Sequence, residues 1–502
     1  MARICLCLTG KTLARDLAIL HKYRNYADLA ELRVDCLEPD ERFLIRRFPE
    51  QAGIPVILTI RRDVDGGYFK GGEGSRITLL SKGLAFAEVD RRKNFAYVDL
   101  EEDLQVPSLE EAARTFGTRI IRSCHNIHGM EEDLNRKLRE LRRVGDEIVK
   151  VAVSPHTLAD TARIFEAAEA DRGMDRILLG MGRFGTITRL LAEWLGSFLS
   201  YASPLGEADL PAGAPGQLDP QELAELYRFR RINTRTLIYG VLGHPLRATS
   251  SPAFFNQVFR EENTDAVYIP FPADSLESFL ALAEKLNIQG MSVTVPYKEA
   301  ILPRLAGRSA EVDAVGACNT IIRSGGGWMG YNTDSKGFSD SLVEFTGKKD
   351  LRGKRIAIIG AGGAARAVAA AIYRLKGKAL ILNRTAARAR QLASYYHFEW
   401  GDLDGDGAGI TGQYNDIIIQ TTSVGMEPDI EADPLPDYPF SGTELVLDLV
   451  YKPEKTRLLQ RAEAAGCRIR NGYDMLIRQA QYQYGFFMDR EFPAPLMSRI
   501  KL

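Results

Sequence analysis

One lysine in the first half of the chain lies inside an apolar run that predicts a buried β-strand. The run is EIVKVAV, residues 147–153, and Lys150 has apolar neighbours on both sides. Burial disfavours the charged ammonium, and a desolvated lysine amine is the kind of group that attacks a carbonyl carbon to form a Schiff base. The preceding strand-like run ends at His125, whose ring titrates near neutrality and suits general acid and base catalysis. The alternative is a lysine that reaches solvent from the end of its strand.

Charged residues end or follow several other predicted strands of this half. They are Glu31, Arg33, Asp35, Arg61, Arg62 and Arg189. Guanidinium groups that meet at one end of a barrel offer planar pairs of donors that match a carboxylate. We therefore expect a small anionic substrate.

A glycine-rich turn in the second half matches the pattern that binds dinucleotides. A strand-like KRIAII leads into a turn and then into a helical AVAAAIYRLK; the turn is Gly360, Ala361, Gly362, Gly363, Ala364 and Ala365. The first glycine permits the tight turn, the second lets the backbone approach a pyrophosphate, and the small sixth residue lets helix and strand pack closely. The next strand ends in Asn383, Arg384 and Thr385 rather than in an acid, which favours NADP over NAD because Arg384 can pair with a 2′-phosphate. A solvated strand-end arginine is the alternative.

Eight short apolar runs alternate with charged segments of helical pattern through residue 202. They are Ile4–Leu8, Ala27–Asp35, Pro55–Arg61, Phe95–Leu100, Arg119–His125, Glu147–Val153, Arg176–Gly182 and Phe198–Ala202. This alternation predicts a (β/α)₈ barrel, in which catalytic groups stand at the carboxyl ends of the strands.

The rest of the chain predicts a two-lobed α/β dehydrogenase. A segment rich in proline and glycine, 204–220, precedes a helix expected from Asp219 to about Arg231. We expect the barrel over 1–217, a connecting helix over 218–235 and the dehydrogenase over 236–502. Within the dehydrogenase we expect a substrate lobe at 236–340, a Rossmann-type NADP lobe at 341–480 and a returning segment at 481–502.

Composition excludes several classes of protein. Lys and Arg number 65 against 66 Asp and Glu, so the net charge of -1 provides no field for nucleic acid or anionic lipid. The six cysteines lack the spacing of a metal site, and no apolar run has the roughly 18 residues of a membrane helix. No signal segment is recognisable, and we expect a cytoplasmic protein that binds small molecules, without metal, nucleic acid or membrane. The oligomeric state stays open.

Residues 237–490 resemble the shikimate dehydrogenase family. Seven blocks correspond in order: GHPLRATSSP, GMSVTVPYK, GACNT, YNTD, TTSVGM, DLVYKPEKTRLL and GYDMLIRQA. The resemblance implies reduction of 3-dehydroshikimate to shikimate with NADPH, with Lys298 and Asp334 as the catalytic pair. An alkoxide formed by hydride transfer requires a proton donor such as an ammonium, and a carboxylate holds that ammonium in place.

The same resemblance implies further site residues and shows three departures from the family pattern. The implied substrate ligands are Thr249, Ser251, Thr294, Asn319, Tyr451 and Gln479, and Thr422 and Gly472 join the glycine turn and residues 383–385 around the cofactor. The departures are Ala248, Thr249 and Ser292, which stand where the family has histidine, serine and asparagine. They bear on substrate affinity more than on reaction type.

Residues 3–218 resemble type I 3-dehydroquinate dehydratase through ELRVD, TIRRDVDGG, SCHN, KVAVSP, GMGRFGTITR and APGQ. The resemblance implies that Lys150 forms an imine with 3-dehydroquinate and that His125 moves the proton. Arg189 and Gln217 would grip the carboxylate, and the ring would be fixed by Glu31, Arg33, Arg61 and Asp65. Gly213 stands where the family has a serine, so one substrate hydrogen bond is expected to be missing or supplied elsewhere.

Together the two halves predict a bifunctional enzyme that converts 3-dehydroquinate to shikimate. A non-catalytic sensor of quinate or shikimate on the same folds remains an alternative, although all four catalytic groups are present. A class I aldolase fused to an unrelated reductase would keep the imine chemistry but would leave the seven matched blocks unexplained.

Overall fold

The structure is a computed structural model of the chain that describes residues 1–85, 87, 90–170, 173–246, 249–403 and 413–500. Among these, one compact unit comprises residues 1–240 and 244–288, and a second comprises 241–243 and 289–500. Each unit is described by itself.

The first unit contains the predicted barrel. Within its described residues the strands are β1 Arg3–Leu8, β2 Leu29–Arg33, β3 Val56–Thr59, β4 Tyr97–Glu101, β5 Arg119–Asn126, β6 Ile148–Val153, β7 Arg176–Gly180 and β8 Leu199–Ala202. They pair in the order β7-β6-β5-β4-β3-β2-β1-β8, and every ladder is parallel. A bridge between Arg176 and Ser197 joins the two edges. The expected barrel is therefore confirmed.

Seven α-helices of the described barrel region surround these strands: α1 Leu13–Tyr23, α2 Phe48–Ala52, α3 Glu73–Leu84, α4 Pro107–Thr115, α5 Leu134–Leu141, α6 Leu158–Ala170 and α7 Gly182–Leu190. Alternate strand residues form two apolar layers. Ile57, Ile121 and Ile148 belong to the inner layer, whereas Leu6, Leu58 and Val98 pack in the outer one. Because side chains alternate along a strand, the inward register that holds Ile148 also turns Lys150 into the barrel.

The connection after the barrel differs from the single helix expected. The Asp219 carboxylate accepts a hydrogen bond from the Gln221 amide at 2.9 Å, as a cap should. The chain then forms a wide helical turn over Glu222–Leu226, and Arg228 adopts a left-handed conformation with φ of 52°. Arg230 donates to Asp28 of the barrel at 3.1 Å. The left-handed residue at 228 interrupts the helical path, and the Arg230–Asp28 pair joins the segment after it to the barrel.

The remainder of the first unit packs on the barrel. It consists of β9 Leu237–Gly243, whose last three residues belong to the second unit, α8 Ser251–Glu261, β10 Ala266–Pro272 and α9 Leu276–Lys285. Asp274 accepts a hydrogen bond from the Leu158 amide at 2.8 Å and so caps α6, the helix that follows the Lys150 strand. Lys285 pairs with Glu169 at the other end of α6, at 2.6 Å.

The second unit begins with a small mixed sheet. Its elements are β11 Gly290–Val293, α10 Tyr297–Ala300, β12 Gly307–Arg308, α11 Ala310–Val315, β13 Thr320–Ser324, β14 Gly327–Tyr331 and α12 Asp334–Thr346. The strands lie in the order β11-β13-β14-β12. The α10 and α12 helices both begin at the end of a strand or turn, which places Lys298 and Asp334 at adjacent helix starts.

The nucleotide lobe follows. It contains β15 Arg355–Ile359, α13 Gly363–Arg374, β16 Lys378–Asn383, α14 Ala386–Tyr396, β17 Glu399–Asp402, β18 Ile417–Gln420, β19 Leu445–Asp448, α15 Arg457–Ala464, β20 Arg468–Arg470 and α16 Tyr473–Met488. The order β17-β16-β15-β18-β19-β20 is parallel throughout and is the doubly wound arrangement of dinucleotide-binding folds. The expected Rossmann-type lobe is confirmed. No helix among the described residues is long and apolar enough to cross a membrane.

Candidate active sites

Lys150 is buried inside the barrel and paired with a carboxylate. All six residues of β6 are buried, and the Lys150 Nζ donates to the Asp99 Oδ2 at 2.8 Å. The same ammonium lies 4.6 Å from the centroid of the Tyr201 ring. An ammonium against an aromatic face is stabilised by the ring quadrupole, so both neighbours orient this side chain.

The Asp99 carboxylate serves several partners at once. Besides Lys150 it pairs with Arg61 Nη2 at 2.8 Å and accepts a hydrogen bond from the Ser123 hydroxyl. Burial alone would raise the pKa of Asp99, but the charges of Arg61 and Lys150 outweigh burial and hold that pKa well below its usual range. Asp99 is therefore ionised and fixes the geometry of the site.

His125 lies on the strand next to Lys150. In the β5–β6 ladder Ser123 is opposite Lys150 and His125 is opposite Ala152, so the imidazole lies nearer the carboxyl ends. Its Nδ1 is 3.2 Å from Arg61 Nη1. Burial, and then the charges of Arg61 and Lys150, lower the pKa of His125 well below its usual value. A neutral imidazole is thus present to accept a proton.

Arg189 is a buried guanidinium, and part of its hydrogen-bonding capacity is unused among the described residues. It is 1% exposed, and its Nε and Nη1 have no hydrogen-bond partner among the described residues. Its Nη2 donates to the Pro215 carbonyl at 3.3 Å. Burial lowers the pKa of Arg189 to about 10, so the group stays charged at neutral pH. A buried charge without a partner is costly, and an anionic ligand would remove that cost.

Gln217 lies beside the position where a serine is replaced by glycine. Its Oε1 accepts a hydrogen bond from the Ser203 hydroxyl, and its Nε2 is 3.4 Å from Cys7 Sγ. A Cβ at Gly213 would lie 2.7 Å from the Gln217 Oε1 and 2.8 Å from the Cys7 Cβ. The departure at Gly213 therefore follows from local packing, and Ser203 provides a hydroxyl next to Gln217.

The other barrel residues expected to bind substrate have protein partners. Glu31 accepts from the Thr59 hydroxyl at 2.9 Å, and Arg61 also pairs with Glu101 at 2.7 Å. Arg33 forms a bidentate pair with Asp35 at 2.9 and 2.7 Å. Asp65, for its part, pairs with Arg62 at 2.6 Å. These ion pairs fix the arginines in place.

The second unit contains another lysine–aspartate pair. Lys298 Nζ donates to the Asp334 Oδ2 at 2.6 Å, and the Asn319 Nδ2 donates to the other carboxylate oxygen at 2.7 Å. Asp334 is the first residue of α12, where the helix dipole favours negative charge. This arrangement holds one lysine side chain beside one carboxyl group.

A network of hydrogen bonds supports this pair from α16. The Asn319 Nδ2 also donates to the Thr333 hydroxyl at 2.9 Å, and that hydroxyl lies 3.4 Å from the Gln479 Oε1. Ser292 donates to the buried Gln483 at 2.8 Å, and Gln483 in turn donates to the Asn319 carbonyl at 3.1 Å. The departure at Ser292 is thus accommodated by a bond to Gln483.

Other predicted substrate ligands lie nearby in the chain or in the first unit. Thr294 is half-buried before α10, and its amide donates to the Leu242 carbonyl at 2.9 Å. Tyr451 is half-buried three residues after β19, and no hydrogen bond among the described residues joins it to Lys298. Thr249 and Ser251 lie in the first unit with their hydroxyl oxygens 3.2 Å apart. Ala248 lies outside the described residues.

The glycine turn fits a dinucleotide. Gly360 has φ of 110°, and a Cβ there would lie 2.6 Å from the Thr421 hydroxyl oxygen and 2.8 Å from Thr422 Cγ2. Gly362 caps α13 and faces open space, so a phosphate can approach the helix N-terminus. A Cβ at Gly363 would lie 3.1 Å from the Lys298 Cδ, which puts the turn against the catalytic pair. Ala361 and the helical Ala364 complete the predicted turn.

The end of β16 carries exposed arginines. Asn383 Nδ2 donates to the Thr385 carbonyl at 3.0 Å and closes the turn. Arg384 is exposed before α14 begins, and Arg388 is exposed in the first turn of that helix. Gly472 approaches the Leu449 carbonyl so closely that a Cβ would lie 2.0 Å from its oxygen. Within the described part of the chain, no cluster of three or more His, Cys, Asp or Glu side chains could hold a metal ion.

Comparison with known proteins divides the chain in the same way. Residues 4–234 match the type I 3-dehydroquinase family model, residues 241–321 match the shikimate dehydrogenase substrate binding domain, and residues 343–431 match shikimate / quinate 5-dehydrogenase. The chain is 32% identical, over 500 residues, to the chloroplastic bifunctional 3-dehydroquinate dehydratase/shikimate dehydrogenase of Arabidopsis thaliana, covering 93% of this chain and 78% of that protein. The chain belongs to this bifunctional family.

Other relatives match about half of this chain and are described as NADP(+) shikimate dehydrogenases. The NADP(+) shikimate dehydrogenase of Moorella thermoacetica is 38% identical over 287 residues, which cover 54% of this chain and 94% of that protein. The crystal structure of the Aquifex aeolicus shikimate dehydrogenase is 32% identical with a TM-score of 0.49, covering 53% of this chain and 98% of that one.

Several residues of the two sites of this bifunctional family member were not found from the sequence. Asp99 occupies an ordinary strand pattern, and Gln483 lies ten residues into a helix whose pattern does not indicate the serine it binds. Neither residue has a local signal, because Lys150 lies 51 residues from Asp99 and Ser292 lies 191 residues from Gln483.

Proposed function

We propose that the chain dehydrates 3-dehydroquinate to 3-dehydroshikimate in its barrel and then reduces 3-dehydroshikimate to shikimate with NADPH in its second half. The single observation that carries the first reaction is the buried Lys150, 2.8 Å from Asp99, on the strand next to His125. The second reaction is supported by the Lys298–Asp334 pair beside the glycine turn.

In the barrel reaction the Lys150 amine attacks the ketone carbon and, with loss of water, forms a protonated imine. The imine withdraws electrons from the neighbouring carbon, so the neutral imidazole of His125 can remove its proton. The imidazolium then protonates the hydroxyl that leaves as water, and the double bond forms. Hydrolysis of the imine releases 3-dehydroshikimate and restores Lys150. The net change is loss of one water molecule.

Arg189 and Gln217 serve as the proposed carboxylate ligands. Two of the Arg189 nitrogen atoms are buried and free of protein partners among the described residues, and Gln217 is fixed by Ser203. An ionic hydrogen bond to a buried guanidinium contributes about 1.5–3 kcal/mol. Glu31, Arg33 and Arg61 would position the ring or, through their ion pairs, its other ligands.

In the second reaction the Lys298 ammonium donates a proton to the ketone oxygen as that oxygen becomes an alcohol. Asp334 holds the ammonium in place, and Asn319 keeps the second carboxylate oxygen occupied. The residues of the glycine turn would hold the pyrophosphate of NADPH, and Arg384 would pair with the 2′-phosphate. When bound there, NADPH supplies the hydride. Thr249, Ser251, Thr294, Tyr451 and Gln479 are the proposed substrate ligands.

Two assays test the proposed reactions. Borohydride reduction in the presence of 3-dehydroquinate should leave a covalent adduct that mass spectrometry of peptides locates on Lys150. NADP-dependent oxidation of shikimate should be measurable with the same preparation. A chain that forms no adduct and turns over neither substrate would contradict the assignment and would favour the non-catalytic sensor of quinate or shikimate. No comparison supports the sensor, and the family match replaces the aldolase interpretation.

The domain limits and the compartment are also proposals. The limit at 235 is supported by the matched ranges 4–234 and 241–321, and the first of these ranges also includes the proposed connecting segment that begins at 218. A cytoplasmic location is supported by six cysteines that are all free and of which five are buried, whereas the Arabidopsis relative is described as chloroplastic. Size-exclusion chromatography with light scattering would give the oligomeric state.

A further inference from the structure

Tyr201 is a barrel residue that the two proposed reactions leave without a role. It lies on β8 in the inner layer, is 3% exposed and places its ring 4.6 Å from the Lys150 ammonium. Its hydroxyl is buried and has no hydrogen-bond partner among the described residues of the chain.

Packing does not account for this hydroxyl. A phenylalanine would present the same aromatic face to Lys150, whereas a buried hydroxyl without a partner lowers the stability of the protein. A group that is costly in the free protein and adjacent to a reactive lysine is best explained by a partner that arrives with the ligand.

The neighbourhood of Tyr201 indicates what that partner is. Arg189 also has buried donors without partners among the described residues, and it interacts electrostatically with Tyr201. Burial, with the negative charge of Glu31, raises the pKa of Tyr201 well above its usual value. The hydroxyl therefore stays protonated and serves as a donor, which suits an anionic oxygen.

We propose that the Tyr201 hydroxyl donates a hydrogen bond to the carboxylate of bound 3-dehydroquinate, beside Arg189, and that Tyr201 is a specificity-determining residue of the barrel reaction. This inference rests on the proposed dehydratase function. The bond is present before and during the chemical step, so it contributes to KM rather than to kcat.

The test compares Tyr201→Phe with Tyr97→Phe, which removes the same atom from the same barrel. The Tyr97 hydroxyl has a partner, since it accepts from Arg3 at 3.3 Å, and its ring packs on Phe198 away from Lys150. We expect Tyr201→Phe to raise KM for 3-dehydroquinate about tenfold or more with kcat within about twofold, and Tyr97→Phe to leave both unchanged.

Stability provides an independent readout. Removing an unsatisfied hydroxyl should leave the melting temperature of the ligand-free Tyr201→Phe protein equal to or above that of the wild type. A weaker KM in a protein of unchanged or higher stability would distinguish a ligand-binding role from a structural one. A Tyr201→Phe protein that melts lower and loses kcat would overturn the inference.

A double-mutant cycle with Arg189→Gln locates the bond. If both side chains bind one carboxylate, KM of the double variant should rise by less than the product of the fold changes in the two single variants. The reason is that either single substitution already displaces the carboxylate. Independent effects would place the hydroxyl on another part of the substrate and would overturn the assignment to the carboxylate.

Borohydride trapping separates failure of this inference from failure of the proposed function. An adduct on Lys150 in the wild type, together with equal KM values for the wild type and Tyr201→Phe, would remove the role of Tyr201 alone. Absence of the adduct in the wild type would remove the dehydratase assignment on which the inference rests.

Discussion

The two candidate sites each pair a lysine with an aspartate, but the surroundings of the pairs differ. Lys150 lies 2.8 Å from Asp99, and their side chains are 6% and 0% exposed. Lys298 lies 2.6 Å from Asp334, and their side chains are 16% and 9% exposed. Nearly equal distances therefore occur in a pair that is almost fully buried and in a pair that is partly exposed.

The partners of the carboxylates explain how similar pairs can serve different chemistry. Asp99 also pairs with Arg61, so a proton can leave Lys150 while the carboxylate keeps a cationic partner. Asp334 has the neutral Asn319 as its other side-chain donor among the described residues, so proton loss from Lys298 would leave it without a cation. The first arrangement suits an amine nucleophile and the second suits a proton donor.

Exchanging each lysine for alanine should separate the two activities. Lys150→Ala should lower dehydration of 3-dehydroquinate by about a thousandfold or more and abolish the borohydride adduct, because the nucleophile is gone. Lys298→Ala should lower shikimate oxidation by a similar factor. Steady-state assays of both reactions on each variant provide the measurement.

The control is Lys93→Ala, which removes an exposed barrel lysine that pairs with Glu50. Both activities should survive in it. If Lys150→Ala also lost shikimate oxidation while remaining folded, that result would contradict the expectation that the two sites act independently.

Neutralising the aspartates should affect stability unequally. Asp99→Asn leaves Lys150 and Arg61 buried around a neutral amide, which should destabilise the protein by about 3–5 kcal/mol. Asp334→Asn affects a less buried pair and should cost less. Denaturant midpoints compare the two variants, with Asp103→Asn as an exposed control that should change little. Equal midpoints for Asp99→Asn and Asp103→Asn would show that the buried Asp99 contributes no more to the free energy of unfolding than the exposed Asp103.

The sign of the pH effect at Asp99 follows from its lowered pKa. Its stabilising contribution is fully present above the unfolded aspartate value of about 3.9 and disappears as the pH falls through the lower folded value. The wild type should therefore keep its advantage over Asp99→Asn at pH 5, and lose it only under strongly acidic conditions.

The sequence allowed prediction of the barrel strands because each is an apolar run bounded by charged or turn residues. The observed β6 begins one residue after the predicted start and ends at the same residue. Asp99 could not be predicted, because its partners come from three separate segments and meet only when the barrel closes: Arg61 follows β3, Ser123 is on β5 and Lys150 is on β6. Arg33 differs, because its partner Asp35 is only two residues further along the chain, where β2 has ended and the backbone turns.

The arginines proposed to bind anions differ between the two halves as the lysines do. Arg189 is buried, whereas Arg384 is exposed. Arg384→Ala should raise KM for NADP about tenfold and leave use of NAD unchanged, because only NADP has the 2′-phosphate. The effect should shrink at high salt, since exposed charges are screened. Equal changes for NADP and NAD would contradict the phosphate pairing.

Each unit also contains a buried carboxyl whose burial raises its pKa to about 7, Asp16 in the barrel and Asp448 at the end of β19. Between about pH 4 and 7 the folded state keeps a proton that the unfolded aspartate releases, so stability falls as the pH rises, by at most about 1.4 kcal/mol per pH unit for each group.

Asp16→Asn should flatten the pH dependence of the temperature at which dehydration activity is lost, and Asp448→Asn should do so for shikimate oxidation. Asp448 accepts from Thr456 at 2.6 Å and from the Val450 amide, whereas Asp16 Oδ2 has no partner among the described residues. We therefore expect Asp16→Asn to be the better tolerated substitution. Heating each variant at pH 5, 6 and 7 and assaying both activities measures this, and an unchanged slope in both variants would assign the pH dependence to other groups.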